Sequence, residues 1–521
     1  MTTAHGERSE PKAGLWTIRT EFGYLARMMR FAVIPTGVAM AVILTGWALS
    51  HRSGGHEVAF LLGNRDTGDR GSAWSGFFRF LGCEALFAAV GVLLFGVGLA
   101  HARRRRPGGG TTPAADRNDI GTAVLVLVVV LDDLFMVHHR VLPGVGVPAS
   151  VGTVAYLLVL GLLVACAWRP TREAGIRFAF LTAIWCLAVA AVVVAFASHL
   201  EGSHDPVGPL ANAGDFVKYL GYAALCWVLV VRARSVVSQV VRVPTTTAVA
   251  HPAPAAPGTA YGDDPSSRTE PLPLPIIDLW PVRGEFAQLG RTLARTVVPT
   301  GIGMGIVLVA FAATHHAIEI ALQDQDTAAG ASQWSGLFTF VGCGALIVSV
   351  GVLLGALDLA GAWRRRVGPG GDRRAVDAGL GLAVLMLLVA FDDIFMIHDA
   401  ILPSFRIPEV IGNGFYVVVG GALVLWVMRP VHRLGLLLSL LVGLGGLAVS
   451  VAGDKLEDVF EVTDPTLSHL LGNAEDISKF LGYAALCAVL VVFARAVANP
   501  VMSDVPVRSA AGAPSPSAPV R

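Results

Sequence analysis

The sequence predicts an all-α, polytopic membrane protein of about 12 transmembrane helices, arranged as two parallel six-helix repeats. Two observations carry this prediction. The 521 residues are 54% hydrophobic and 15% charged, with a mean hydropathy of +0.64, whereas roughly 25% of residues are charged in an average soluble chain. In addition, the two halves of the chain resemble each other at an offset near 260 residues. The composition excludes a soluble globular domain.

The internal similarity consists of matching segments in the same order along both halves. They are VIPTG and VVPTG at 33–37 and 297–301, WSGFFRFLGC and WSGLFTFVGC at 74–83 and 334–343, LDDLFMVHHRVLP and FDDIFMIHDAILP at 131–143 and 391–403, and ANAGDFVKYLGYAALC and GNAEDISKFLGYAALC at 211–226 and 472–487. Such self-similarity indicates duplication. Because six spans per half is an even number, both halves should insert the same way up, related by a pseudo-two-fold axis along the membrane normal.

Apolar stretches of about 20 residues mark the predicted spans. They lie at residues 31–49, 74–100, 120–142, 151–168, 177–197, 212–231, 297–314, 334–360, 379–402, 411–428, 434–452 and 473–492. With the N-terminus inside, 30 of the 39 lysines and arginines fall in cytoplasmic segments. By the positive-inside rule, the sequence predicts a multi-pass protein of the cell membrane with both termini in the cytoplasm.

The chain divides into five predicted segments. Residues 1–30 form a cytoplasmic N-terminal segment with an amphipathic helix, 31–232 the first six-helix repeat, 233–278 a flexible Pro- and Ala-rich cytoplasmic linker, 279–496 the second repeat, and 497–521 a disordered cytoplasmic tail. The first apolar run starts at Phe31 and continues as a full span, which favours a membrane anchor over a cleaved signal peptide.

A segment with apolar residues at helical spacing and arginines between them precedes the first span of each half, at 15–30 and 279–295. It fits either an amphipathic helix resting on the anionic inner leaflet or a helical lead-in to the span. Pro35 and Pro299 lie one turn into the first spans. They are candidate positions for a kink.

Acidic and lysine side chains recur at matching positions inside the spans of both halves. An Asp-Asp pair lies within the third span, and an aspartate three residues before a lysine lies at the outer end of the sixth, where the two share a helix face. Charged residues within spans are costly enough to be functional candidates. The predicted proton or substrate relay comprises Asp132, Asp133, Asp215, Lys218, Asp392, Asp393, Asp476 and Lys479.

Side chains of metal-ligating types follow on the same outer side. The predicted metal ligands are His139, Glu201, His398, Asp399 and Glu457, a set that suits Mn, Fe, Zn or Ca. No HExxH segment or histidine box is present, which weakens a zinc protease or a di-iron enzyme. The cofactor is therefore left unassigned, with a divalent metal ion as the candidate, and no catalytic residue is assigned. The six cysteines lie in predicted spans at no metal-ligand spacing and are interpreted as packing residues.

The two halves differ in charge within their second spans. The first half has Arg79 and Glu84 where the second has Thr339 and Gly344. Arg79 is predicted to act as an internal cation that takes the place of a bound one in the first half.

Three functions stay open at this stage. The first is a secondary transporter of a cation or small solute with an outward-facing cavity of acidic and histidine side chains, since many such transporters are twelve-span pseudo-dimers. The second is a membrane-embedded metal-dependent enzyme acting on an apolar or lipid substrate. The third is a non-catalytic membrane scaffold in which the lysines neutralise the acids.

The expected partners are the lipid bilayer and a small solute or ion, and homo-oligomerisation is left open. Nucleic-acid binding is not expected, because membrane topology already accounts for the arginine clusters. ATP-driven transport by this chain alone is not expected either, because the sequence has no phosphate-binding loop motif.

Overall fold

The computed structural model describes residues 13–50, 77–105, 113–135, 137, 142, 146–200, 207–241, 282–313, 337–367, 373–395, 397, 402, 408–460 and 465–503. Within these ranges the regular secondary structure is entirely helical. The helices are α1 (Ala13–Met28), α2 (Ile34–Ser50), α3 (Phe77–Arg104), α4 (Pro113–Phe135), α5 (Ala149–Ala174), α6 (Arg177–Leu200), α7 (Val207–Val241), α8 (Val282–Thr292), α9 (Val298–Ala313), α10 (Leu337–Val367), α11 (Arg373–Phe395), α12 (Glu409–Arg433), α13 (Leu437–Phe460) and α14 (Pro465–Ser503).

Nine stretches of the described residues are long and apolar enough to cross a membrane, and Leu437–Gly453 forms a shorter apolar helix. Large apolar side chains on the outer faces are widely exposed, as at Trp185 and Val418, each 69% exposed. In a bilayer such faces contact lipid rather than water. The protein is therefore an integral, multi-pass membrane protein. Its predicted number of twelve spans stays a prediction.

The amphipathic segments are joined to the first span of each half without a break. A π-helical turn, Met29–Val33, links α1 to α2, and Leu293–Val297 links α8 to α9 in the same way. Each turn lies next to a proline, Pro35 or Pro299, whose nitrogen cannot donate to the preceding turn. The wider turn accommodates this missing donor, because the amide of Ile34 donates to the Met29 carbonyl five residues back. These segments are thus helical lead-ins continuous with a span.

A buried glutamate attaches each lead-in helix to the body of the protein. Glu21 on α1 is fully buried and bonds Arg177 at the start of α6, with 2.7 Å between the nitrogen and Oε1. Glu285 on α8 accepts a hydrogen bond from the amide of Leu438 at 3.1 Å and lies 3.0 Å from His432 Nδ1. Since an anionic side chain stabilises a helix N-terminus, Glu285 holds α8 against the beginning of α13.

The centre of the fold is the crossing of α3 with α10, which are flanked by α7 and α14 respectively. The two helices meet at Gly91 and Gly351, where an added Cβ would collide with the backbone carbonyl oxygens of Val348 and Ala88. About three turns earlier on the same two helices, Phe80 stacks on its aligned counterpart Phe340, with ring centroids 5.2 Å apart and planes 2° apart. Gly91 and Gly351, like Phe80 and Phe340, occupy aligned positions of the two halves of the sequence.

The Gly351→Ala variant tests this close approach. We expect the variant to lose about 1–3 kcal/mol of stability, because the new methyl group overpacks the crossing. Thermal unfolding of the purified protein in detergent measures the change. Gly445→Ala is the matched control, since nothing lies within 4 Å of a Cβ added at that helical position. Equal unfolding temperatures for both variants would contradict the close approach.

Candidate functional site

A buried carboxylate of α4 is paired with a lysine of α7. Lys218 Nζ lies 2.5 Å from Asp133 Oδ1, and Asp215 Oδ1 lies 3.8 Å from the same Nζ. Cys83 on α3 contributes its thiol, 3.8 Å from Asp133 Oδ2. We name these four residues and Arg79 the Asp133 cluster. They bring together α3, α4 and α7, so the packing of three helices determines the geometry of the pair.

Arg79 supplies the second cation of the Asp133 cluster. It is 4% exposed, and its Nε lies 3.8 Å from Asp133 Oδ2. Its Nη2 donates to the carbonyl oxygens of Asp133 and Leu134, the second at 2.8 Å. The last carbonyls of a helix lack partners within that helix, and Arg79 satisfies two of them near the end of α4. The side chain faces the protein interior beside Asp133, which is the location that its predicted role requires.

The matching carboxylate of α11 has a different set of neighbours. Lys479 Nζ on α14 lies 2.5 Å from Asp393 Oδ1. The hydroxyl group of Tyr483 donates to Asp393 Oδ2 at 2.6 Å, and the Cys343 thiol donates to the same oxygen at 3.4 Å. We name these four residues the Asp393 cluster. The lysine thus contacts Oδ1 of Asp393, while the uncharged hydroxyl and thiol groups both donate to Oδ2.

Glycines make room for the tyrosines beside both carboxylates. A Cβ added at Gly342 would lie 2.6 Å from Tyr483 Cδ2, and one added at Gly82 would lie 2.7 Å from Tyr222 Cδ2. Tyr222 occupies the position in the first half that Tyr483 occupies in the second, and both are buried. The sequence therefore uses a glycine of the second predicted span in each half to bring a tyrosine ring close to the aspartate.

The structure brings five of the eight predicted relay residues together in two separate groups. Asp133, Asp215 and Lys218 form one group, and Asp393 and Lys479 form another. Asp132 and Asp392 are half-buried next to these carboxylates and engage in other interactions. Asp476 is half-buried three residues before Lys479. The sequence analysis made no distinction within each Asp-Asp pair, whereas in the structure it is the second aspartate that pairs with lysine.

The predicted metal ligands cannot be placed in the same way. His139, Glu201, His398 and Asp399 lie outside the described residues, and Glu457 lies in α13 but its side chain is outside the described set. Within the described part of the chain, no group of three or more His, Cys, Asp or Glu side chains could hold a metal ion. The metal site stays a prediction about the remaining residues.

Several of the groups that surround the paired carboxylates were not predicted from the sequence. Cys83 and Cys343 were interpreted as packing residues, yet their thiols donate to Asp133 and Asp393. Tyr483 was not singled out. Its signal was the spacing, since a tyrosine four residues after a lysine lies on the same face of a helix.

A buried ion pair in the first half was also missed. Arg232 on α7 forms two parallel hydrogen bonds with Asp119 on α4, each 2.9 Å long. Both residues are nearly inaccessible, at 4% and 2% exposure. The aligned positions of the second half hold Phe493 and Gly379. The aligned positions therefore carry different chemistry, an ion pair in one half of the sequence and an aromatic ring beside a glycine in the other.

Glu84 is a buried carboxyl group that differs from the aspartates paired with lysine or arginine. It is 2% exposed, and neither of its oxygens has a hydrogen-bond partner among the described residues. Its position on α3 is near Cys343 of the second half. An ionised carboxylate is strongly disfavoured in an apolar interior without a partner. Glu84 is therefore expected to be uncharged.

The helices and their buried charge pairs define the protein as a multi-pass membrane protein with polar clusters in its interior. A family model described as "Domain of unknown function (DUF8692)" matches residues 300–493. This range lies within the predicted second repeat and includes the Asp393 cluster. No curated protein and no solved structure matches the chain.

Proposed function

We propose that this protein is a secondary transporter that couples the movement of a cation or small solute to protons. In this proposal two parallel six-helix repeats surround an outward-facing cavity with acidic and histidine side chains. The protein lies in the cell membrane, with both termini in the cytoplasm. The relay residues of the third and sixth spans line the pathway.

The observation that carries the proposal is the presence, in each half, of a carboxylate–lysine pair whose side chains are at most 18% exposed. Lysine Nζ and aspartate Oδ1 are 2.5 Å apart in both, between Asp133 and Lys218 and between Asp393 and Lys479. Ionisable residues within membrane spans are rare, pair with one another, and mark ion pathways and proton relays. Their occurrence at aligned positions of both halves supports a pathway of this kind.

Such a pair suggests a simple coupling scheme. A cation that binds the aspartate competes with the lysine ammonium group for the same oxygens. When the cation binds, the displaced lysine loses its counter-charge, and in an apolar site it then favours release of its proton. One monovalent cation taken up against one proton released leaves the charge of the buried site unchanged, whereas a divalent cation exchanged for one proton adds one positive charge. The proposed transport is therefore cation–proton exchange.

The surroundings of the pairs support unequal roles for the halves. In the Asp133 cluster, Arg79 and Lys218 both face one carboxylate. A cysteine thiol contacts the carboxylate in both clusters. In the Asp393 cluster the hydroxyl group of Tyr483 also contacts the carboxylate, and Thr339 stands at the position that aligns with Arg79. A cation competes more easily with one ammonium group than with two cationic groups. We therefore propose the Asp393 cluster as the principal exchange site.

A membrane scaffold is the second candidate, and a specific observation favours it. Lysine, tyrosine and cysteine together occupy both oxygens of Asp393, as in a structural ion pair with no ligand. Buried pairs of this kind also occur without function. Measuring ion movement distinguishes the two candidates.

The test is proton movement across liposomes that contain the purified full-length protein. An inward gradient of Na⁺, K⁺ or Mn²⁺ is imposed, and a pH-sensitive dye reports the lumenal pH. We expect at least one cation to drive proton export from the lumen. The Asp133→Asn/Asp393→Asn variant should reduce the rate at least about tenfold, because loss of 1.4 kcal/mol of interaction already corresponds to a factor of ten.

The control for this assay is Glu173→Gln. Glu173 is an exposed residue that pairs with Arg169 at 3.2 Å, four residues earlier on α5, so its replacement removes a carboxylate outside the two clusters. It should transport as the wild type does. Absence of cation-driven proton movement in the wild type, or equal rates in the aspartate variant, would contradict the transporter proposal and favour the scaffold.

A further inference from the structure

A cavity of about 960 Å³ opens between α10, α11, α12 and α14, at their arginine-rich ends. Four arginines line it, namely Arg364, Arg374, Arg429 and Arg433. Among the lining residues the acidic one is Asp377, which pairs with Arg373 at 3.6 Å. The cavity thus carries an excess of positive charge.

The rest of the cavity is apolar. Trp363, Leu425, Trp426 and Phe493 contribute to its lining. Leu425 is 67% exposed and Trp426 is 54% exposed, so the apolar surface continues from the cavity onto the outer face of α12. In a multi-pass membrane protein, an outer apolar face contacts the acyl chains. The cavity is therefore open to lipid on its apolar side and carries arginines on the other.

The first half has different residues at the aligned positions. Arg103 replaces Trp363, and Glu173 replaces Arg433. Glu173 bonds Arg169 there, which neutralises the arginine that aligns with Arg429. Arg232, bonded to Asp119, lies where the second half has Phe493. Trp363 and Phe493 make this region of the second half more apolar than the aligned region of the first half. Arg433, together with an Arg429 that has no glutamate at the position of Glu173, makes it more cationic.

We propose that this cavity binds an anionic phospholipid from the leaflet that faces the arginine-rich ends of the helices. Guanidinium groups bind phosphate oxygens through paired hydrogen bonds, and basic pockets between transmembrane helices hold anionic headgroups. Trp363, Leu425 and Trp426 accept the acyl chains, over a floor that includes the fully buried Phe493. The cavity volume lies within the range of small-molecule sites. This proposal is independent of the transporter proposal, since it involves neither aspartate cluster.

The test is a titration of the delipidated full-length protein in detergent with dioleoylphosphatidylglycerol, followed by thermal unfolding. We expect saturable stabilisation of the wild type. The Arg429→Gln/Arg433→Gln variant should need an about thirtyfold higher lipid concentration for half-maximal stabilisation, given the usual contribution of each basic residue near anionic lipid. Dioleoylphosphatidylcholine and inorganic phosphate should each give no saturable stabilisation.

The matched control is Arg117→Gln/Arg169→Gln, which removes two arginines from the equivalent end of the first half and changes the net charge equally. It should respond as the wild type does. Equal weakening in both double variants would overturn the proposal and assign the effect to general surface charge. An unchanged response of Arg429→Gln/Arg433→Gln, or stabilisation by phosphate alone at similar concentrations, would also overturn it.

A second variant tests the apolar part of the cavity. Gly379→Asp/Phe493→Arg introduces the ion pair of the first half into the second, where it should occupy the cavity floor. We expect this variant to fold, because Asp119 and Arg232 already form such a pair in the same chain, and to lose the response to phosphatidylglycerol. Retention of the full response in folded protein would overturn the assignment of the acyl chains to this floor.

Discussion

The Lys479→Met variant should be destabilised by about 3–5 kcal/mol, the usual consequence of removing one partner of a buried ion pair. Asp393 is then left without the ammonium group that lies 2.5 Å from its Oδ1. Hydrogen bonds from Tyr483 and Cys343 compensate only in part, because neither donor carries a charge. Thermal unfolding in detergent measures the loss.

The Asp393→Asn/Lys479→Met variant distinguishes a structural role of this pair from a transport role. Removing both charges together should restore most of the stability, since a neutral pair of similar volume leaves no charge stranded. Cation-driven proton movement should nevertheless stay at the level of protein-free liposomes. Stability and transport would thus separate, and a double variant that still exchanges cations for protons would exclude the Asp393 cluster from the pathway.

Glu84→Gln is the control for both measurements. Glu84 is as deeply buried as the paired aspartates, but its oxygens have no hydrogen-bond partner among the described residues. Replacing a neutral carboxyl group by an amide of similar shape strands no charge. We expect the free energy of unfolding of the Glu84→Gln variant to stay within about 0.5 kcal/mol of the wild type, as for substitutions that remove no specific interaction.

The Asp119→Gly variant should be destabilised by about 3–5 kcal/mol, as Lys479→Met is, because Arg232 then stays buried without a counter-charge. Arg232 is 4% exposed and forms both of its 2.9 Å hydrogen bonds to Asp119. The arginine cannot lose its proton at accessible pH. The measurement is again the unfolding temperature, with a second readout from the yield of folded protein in membranes.

The second half of the chain provides the compensating change. Gly379 and Phe493 occupy the aligned positions, and a Cβ added at Gly379 would lie 3.2 Å from Phe493 Cε1. The Asp119→Gly/Arg232→Phe variant should therefore recover most of the stability that the single change removes. If the double variant unfolds as readily as the single one, the two halves do not share this packing.

The helical architecture was predictable because membrane spans require long apolar runs. Helices such as α3 and α10 are long and apolar enough to cross a membrane, and lipid leaves the backbone little alternative to a helix. The charged positions were predictable for the same reason, since Asp133, Lys218, Asp393 and Lys479 interrupt otherwise apolar runs. Local spacing predicted pairing of Asp215 with Lys218 and of Asp476 with Lys479, and the scaffold alternative had both lysines neutralise the Asp-Asp pairs. In the structure Lys218 pairs with Asp133, and Lys479 pairs with Asp393.

The pairings between helices were not predictable from one sequence. Arg79 with Asp133, Tyr483 with Asp393, and Arg232 with Asp119 join residues more than 50 positions apart in the chain. Helical periodicity says which face a residue occupies but not which neighbour that face meets. The choice between Asp392 and Asp393 is likewise decided by the rotation of α11 against α14.

The sequence by itself determined that this protein is helical, apolar and membrane-spanning, and which few positions carry charge inside it. Those properties follow from composition and local periodicity, which act on each helix separately. Only the tertiary structure decided which carboxylate pairs with which lysine, that a thiol and a tyrosine contact Asp393, and that arginines and apolar side chains of four helices enclose one cavity. These features depend on how helices cross and rotate, and small residues such as Gly91 and Gly351 set that packing through contacts distant in the chain.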